Sequence, residues 1–522
     1  MPTKPIVSAH TAAELIPSGA VVSVSSSSGL GCPDAVLRAI GERFAAAGMP
    51  RELIMLHPIA AGDMYGVGGM DHLAQPGLLR RVIAGSYPSG PSSLPSPKIW
   101  RMIYDNQVEA YNIPSGILFA MHKGPGVLTK VGMDTYLDPR RTGGRMNACT
   151  TEDIVRVVEF DGDEWLFFPA IPVDVAIIRA TTADELGNSS MEHEGAYLGA
   201  YEQALAARNH GGLVIAQVKR LASANSIPPQ QVRVPGVLVD YIVVAPDQMQ
   251  TTQTRYDPAI SGEVRRPADS FSLVEWGPEK VIARRIALEL HRGETVNLGF
   301  GVSALVPRIL LEEGLDGAVT WVIEQGAVGG VPLLDFQFGC SANAQAIVPS
   351  PAQFRYFAGG GFDRCLLSFL QVDQEGNVNV SRLSALPHVT AGVGGFADIT
   401  ANAGRMVFSG FFTAGGLDVA LENGGVRIIN EGRVKKFVPL VEHVTLSGRR
   451  ARKMGQEATY VTERCVLRLE HGGLVVTEVA PGIDLERDVL AQADFPLRIS
   501  SDLKLMDERL FSPERMGLAL RD

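Results

Sequence analysis

The sequence predicts an α/β protein made of two homologous domains with largely parallel sheets, and three observations carry that reading. An apolar strand, a glycine-bearing turn and a helix occur near the start in "AVVSVSSSSGLGCPDAVLRAIGERF" and again past the middle in "ETVNLGFGVSALVPRILLEEG". Self-similarity in a fixed order marks a duplicated unit. Each copy is followed by a polar turn of the same make, "TADELGNSS" at 182–190 and "QVDQEGNVNVS" at 371–381. Singly such Asp/Gly/Asn turns are plain hairpins, so the matching order is the informative part. Finally, strand-like runs such as "VDVAIIRAT", "GLVIAQVKRL" and "VLVDYIVVA" alternate with helical stretches such as "EKVIARRIALELHRG". That alternation is how a parallel sheet becomes covered by helices on its faces.

Taken in order, the first domain covers about 1–245 and the second about 280–522. Between them, 246–279 is polar and lacks sustained periodicity, the character of an inter-domain segment. Within the first domain the Ser/Pro-rich insertion "GSYPSGPSSLPSP" at 85–97 reads as a surface loop or a lid.

Composition bounds the function. With 522 residues, 46% of them hydrophobic and 20% charged, the chain is long enough for two or three ordinary domains and is neither disordered nor fibrous. A formal net charge of −10 argues against general affinity for nucleic acid or anionic membranes, which need a basic footprint. The five cysteines are scattered without a C-x-x-C pair, which fits reduced thiols and neither a disulfide frame nor a zinc site. His193 in "MEHEG" belongs on a solvated face, because successive residues of a regular helix cannot converge on one ion. No metal is expected. The N-terminus lacks a basic region followed by an apolar core, and no apolar run reaches the ~18–20 residues of a spanning helix. A soluble, cytoplasmic protein without nucleic-acid or membrane partners is the expectation.

Candidate chemistry gathers at "WVIEQGAVGG", residues 321–330, where an apolar run delivers Glu324 into a loop of small residues. Glycines serve a loop whose main chain another molecule must approach closely. Two readings compete. In one, Gly299, Gly301 and Ala304 form a dinucleotide turn and Glu324, at the end of the next strand, holds a ribose hydroxyl. A ribose-binding acid does not need the glycines that follow it, and the further cluster "AGVGGFADI" at 391–399 stays unexplained. In the other, Glu324 is a nucleophile. A carboxylate attacks carbonyls poorly in water, but a dry pocket strips its solvation and holds the reacting atoms in register. Backbone N–H groups at Gly392, Gly394 and Gly395 would then meet the charge developing on the carbonyl oxygen. The corresponding strand of the first repeat, "LIMLHPIAAGDMYG", ends in His57-Pro58 and has no acid.

At these residues the chain resembles the family I coenzyme A transferases of the fused two-half type, such as propionate and acetoacetate CoA-transferases. The motifs run through nearly the whole chain: "GPGVLTKVGMDTYLDPR", "VDVAIIRATTADELGN" and "VPGVLVDYIVV" in the first half, then "NLGFGVSA", "EQGAVGGVP", "AGVGGFADIT", "FTAGGL" and "TEVAPGIDLERDVL" in the second. The resemblance implies that Glu324 is the nucleophile, in a cleft between the halves. It implies that N–H groups of the 392–395 loop face the acyl oxygen, and that Asn297 and the Gly299/Gly301 turn wall the pocket from the second half, with Gly29 and Gly31 in the matching place of the first. It implies a ping-pong reaction through a glutamyl-CoA thioester, with coenzyme A as substrate, no permanently bound cofactor, and a homo-oligomer, dimer or tetramer. Two positions depart from the family pattern. Ser115 in "YNIPSG" stands where a glutamine is common, and Gln325 follows the nucleophile where a small residue is common. Both point to an acid larger or more polar than propionate. "GRVKKFVP" at 432–439 reads as a solvated turn, with contact to CoA phosphates as the alternative. Two other functions fit the same scaffold: an acyl-CoA hydrolase, and a non-catalytic CoA- or nucleotide-binding module.

Overall fold

In the computed structural model, which describes residues 2–63, 66–89, 96–386 and 391–522, each half of the chain is organised about one twisted sheet. The first sheet runs Ile6–Val7, Tyr241–Val244, Leu213–Ala222, Val175–Asp184, Val21–Val24, Leu53–His57, Leu79–Ala84 and Glu109–Asn112, every neighbouring pair parallel. Val175–Asp184 is buried along its whole length. Its run of β-branched and small residues has no solvent side, as a central strand covered on both faces requires.

In the second sheet Thr320–Val322, Thr295–Leu298, Arg364–Ser368, Arg405–Ser409 and Glu457–Val461 are parallel neighbours in that order. Antiparallel strands extend it on both sides, Ala327–Val328 with Ala346–Ile347 on one and Cys465–Glu470 with Gly473–Val479 on the other. The centre therefore follows the parallel expectation, and the flanks are mixed.

The duplication is visible at single atoms. The N–H of Val21 donates to Asp174 at 2.9 Å, and the N–H of Thr295 donates to Asp363 at 2.7 Å, each opening the equivalent strand. In the two polar turns Asp184 Oδ1 accepts from the Leu186 and Asn188 N–H groups, as Asp373 Oδ1 accepts from Glu375 and Asn377. Asn188 then accepts from the N–H of Gly236, and Asn377 from that of Gly448, both at 2.9 Å. These turns are more than hairpins: each side chain clamps a chain segment remote in sequence.

The inter-domain segment is a packed strap, and two other expectations need correction. Its Thr252 side chain sits over Gly29, Arg266 and Asn343 exchange two hydrogen bonds of 2.8 Å, and Ile260 is buried with Leu30, Leu333 and Cys340. The insertion does not begin as a surface loop either, because Gly85–Pro88 is buried at the junction of the halves. Residues 90–95 of that insertion lie outside the described residues. Cys32, Cys340, Cys365 and Cys465 are buried free thiols and Cys149 is partly buried. His193 is not on a solvated face; its ring stacks on Tyr256 at 4.1 Å. Among the described residues no helix is long and apolar enough to cross a membrane, and no cluster of metal-ligating side chains occurs.

Candidate active site

Glu324 leaves the second sheet two residues beyond Val322 and enters a turn that only glycine can close. Gly326 has φ +117°, and a Cβ there would run into the Val348 carbonyl. The partly buried carboxylate accepts a hydrogen bond from the Gly395 N–H at 3.1 Å through Oε2, while Oε1 lies 3.4 Å from the Gln325 amide nitrogen. Burial pushes its pKa up to about 7, against the pull of the Gly395 N–H. A carboxylate so stripped of water is a stronger nucleophile than a solvated one, and it is held by main chain that costs no reorganisation.

The loop carrying Gly395 belongs to the second half but is stitched to the first. Asn112, at the end of Glu109–Asn112, accepts from the Val393 N–H at 2.8 Å and donates to the Gly85 carbonyl at 2.8 Å. The Gly394 N–H donates to Gly85 O at 2.8 Å, the Ser115 N–H to Gly394 O at 2.9 Å, and the Tyr87 N–H to Ala391 O at 2.7 Å. Three residues after Gly395, Asp398 accepts from the Gly116 N–H at 2.9 Å. Burial, together with the charge of Glu324, pushes the Asp398 pKa up to about 7 as well. Glu324 thus sits where both halves meet, beside a second desolvated carboxylate.

Of the expected oxyanion donors, Gly395 faces Glu324, but the Gly394 N–H is consumed by Gly85 and is not free for a substrate. Gly392 holds φ +94° with its open side against the Asn112 amide. Most of the expected binding residues stand behind the site as its frame. Asn297 is fully buried and donates to Val322 O at 3.2 Å, bracing the strand that delivers Glu324. Gln325 is buried and donates to Ser27 Oγ at 3.1 Å across the junction. Ser115 is fully buried, its hydroxyl without a partner among the described residues. The spaces beside Gly29 and Gly31 are filled by the Thr252 and Leu198 side chains. Close packing forbids side chains there, and a ligand finds no room. The second-half turn differs: Gly299 is partly exposed and Gly301, at φ +102°, is exposed.

Sequence reasoning did not single out Asp398, Asn112 or Tyr87. An acid following a glycine loop inside the apolar run "FADIT" was the available signal for Asp398; nothing local marks the others.

Were Glu324 to attack an acyl-CoA, only its ionised form would do so, and kcat/KM would then fall about tenfold per pH unit below pH ~7 and level above it. A limb left in the usual carboxylate range would show that Glu324 is not desolvated.

Fold and site together define a two-domain α/β enzyme with a desolvated carboxylate at its domain junction, a class suited to acyl transfer. A family model described as Coenzyme A transferase matches residues 6–245. The chain is 40% identical to the caffeate CoA-transferase of Acetobacterium woodii, covering 98% of each chain, and 37% identical to the acetate CoA-transferase YdiF of Escherichia coli K12, covering 99% of this chain and 97% of that one. The apoenzyme crystal structure of YdiF from E. coli O157:H7 superposes with a TM-score of 0.92 at 36% identity over 100% of this chain and 98% of that chain, and its thioester complex with CoA with a TM-score of 0.91. The chain belongs to the coenzyme A transferase family, as a single-chain acyl-CoA:carboxylate CoA-transferase.

Proposed function

We propose that the enzyme moves CoA between carboxylic acids by a ping-pong reaction through Glu324. The carboxylate oxygen attacks the acyl-CoA carbonyl, and CoA thiolate leaves a mixed anhydride. The thiolate then attacks the Glu324 carbonyl, releasing the first acid and leaving a glutamyl-CoA thioester. A second carboxylate reverses these steps. Every bond broken is matched by one of similar activation, so the sequence needs no redox change. The observation that carries this reading is the partly buried Glu324 carboxylate against the Gly395 N–H at the junction of the halves. The thioester complex with CoA of the E. coli O157:H7 relative supports it. The division into 1–245, 246–279 and 280–522, a homo-oligomeric assembly and a cytoplasmic setting belong to the same proposal.

The acid is proposed to be larger or more polar than propionate. Relatives of comparable identity are named for caffeate and for acetate, so acid choice varies at this level of similarity. Initial rates over a matrix of acyl-CoA and acid concentrations should give parallel double-reciprocal lines. The wild-type kcat/KM should favour a larger or more polar acid over acetate and propionate by ~10-fold or more, the scale on which one hydrogen-bond partner discriminates. Intersecting lines would reject the ping-pong order. A wild type that favours acetate or propionate would reject the substrate argument.

A further inference from the structure

The turn "GRVKKFVP" holds a cation that the solvated-turn reading does not explain. Arg433 is exposed and Lys435 is paired with Asp494 at 2.8 Å, but Lys436 is partly buried. Its ammonium lies 4.2 Å from the centre of the Phe369 ring and beside Gly410, where a Cβ would come within 2.9 Å of it. Among the described residues it has no hydrogen bond and no ion pair. The nearest acid acting on it, Glu463, is committed to Arg464 at 2.6 Å and to the Phe412 N–H at 2.9 Å. Burial lowers the Lys436 pKa to about 8, so it stays protonated at neutral pH. A cation half out of water without a counter-ion is costly unless a ligand supplies the charge.

Its place in the sheet says which ligand. Val322, Asn297, Cys365 and Met406 form one row across parallel strands. Glu324 lies beyond that row at one end, while Phe369 and Gly410, which flank Lys436, lie beyond it two and three strands away. At roughly 4.8 Å per strand the separation is ~10–15 Å along the carboxyl edge, the edge where open α/β sheets bind ligands. Between them the exposed Gly299–Gly301 turn lifts Phe300 into solvent, 65% exposed and edge-on to Phe338 at 5.6 Å. From the sulfur of CoA to its first phosphorus the pantetheine arm has about 13 bonds, as many as a little over four extended residues, or ~15 Å. The first half cannot offer the same track, because Thr252 and Leu198 fill its turn.

We infer that Lys436 binds the pyrophosphate of CoA, with the pantetheine arm laid along the carboxyl edge of the second sheet past Phe300 to Glu324. This rests on the transfer reaction proposed above, and direct binding separates the two. Titration calorimetry with free CoA should show Kd raised about 10-fold in Lys436→Met and restored in Lys436→Arg, the range for losing one charge-assisted contact. Dephospho-CoA, which keeps the pyrophosphate, should show the same loss. The KM of an acyl-pantetheine, which has no phosphate, and the KM of the acid should not change. An equal loss with acyl-pantetheine would make Lys436 structural, and a loss confined to the acid would assign it to that carboxylate. A loss absent with dephospho-CoA, or no change in Kd, would likewise overturn the inference. Lys436-dependent CoA binding without any transfer in the wild type would instead sink the proposed reaction and leave this site standing.

Discussion

Glu324→Gln is expected to abolish CoA transfer while leaving the fold intact. The amide is nearly isosteric and can still accept from the Gly395 N–H, but it cannot form an anhydride or a thioester. Incubating the wild type with acyl-CoA and then hydroxylamine should leave a hydroxamate on Glu324, read by peptide mass; the Gln variant should give none. Glu324→Asp withdraws the carboxylate by one methylene, on the order of 1 Å, and should cost ~100-fold in kcat because near-attack geometry is lost. Near-wild-type turnover in the Gln variant, with the protein sequence confirmed at that position, would remove Glu324 from the chemistry.

Gly395→Ala is expected to cost a similar ~100-fold in kcat for a different reason. The backbone there has φ −88°, which alanine adopts freely, so no strain arises from the main chain. The added methyl would instead overlap Glu324 Oε2 and come within 2.5 Å of the Phe354 ring. Both contacts must be relieved, by the loop backing away from one side and the neighbour on the other side yielding. Phe354 is packed against Phe119 at 5.8 Å and Phe357 at 6.2 Å, so the carboxylate is the softer partner and gives way. Overpacking of this kind costs about 1–3 kcal/mol of stability, which a domain of this size tolerates, so unfolding should stay cooperative. A Gly395→Ala enzyme with unchanged kcat would show that the Gly395–Glu324 contact plays no part in turnover.

The same glycine shows how far the sequence could be read. A loop of three glycines is a local pattern, and it marked 392–395 as a place where main chain meets something. It did not reveal that Gly394 spends its N–H on Gly85, because that partner comes from the other half of the chain. Likewise the G-x-G pattern is present in both repeats, yet only the second turn is open. The first is closed by Thr252, a residue of the segment that looked like a bare connector.

Hydrophobic periodicity, turn chemistry and internal repetition are properties of neighbouring residues, so the sequence by itself determined the α/β class, the duplication, the parallel core of each sheet and the candidacy of Glu324. Contacts between residues remote in the chain carry no such local mark. Gly116 meets Asp398 across 282 positions and Ser27 meets Gln325 across 298, and both depend on how two finished sheets dock. Only the tertiary structure decided that Asn297, Ser115 and Gln325 form the frame behind the site, that Asp398 lies close enough to Glu324 to feel its charge, and that the Lys436 ammonium at the carboxyl edge has no hydrogen bond or ion pair among the described residues. Desolvation and charge coupling act through space, and the space between the two halves exists only once they are packed together.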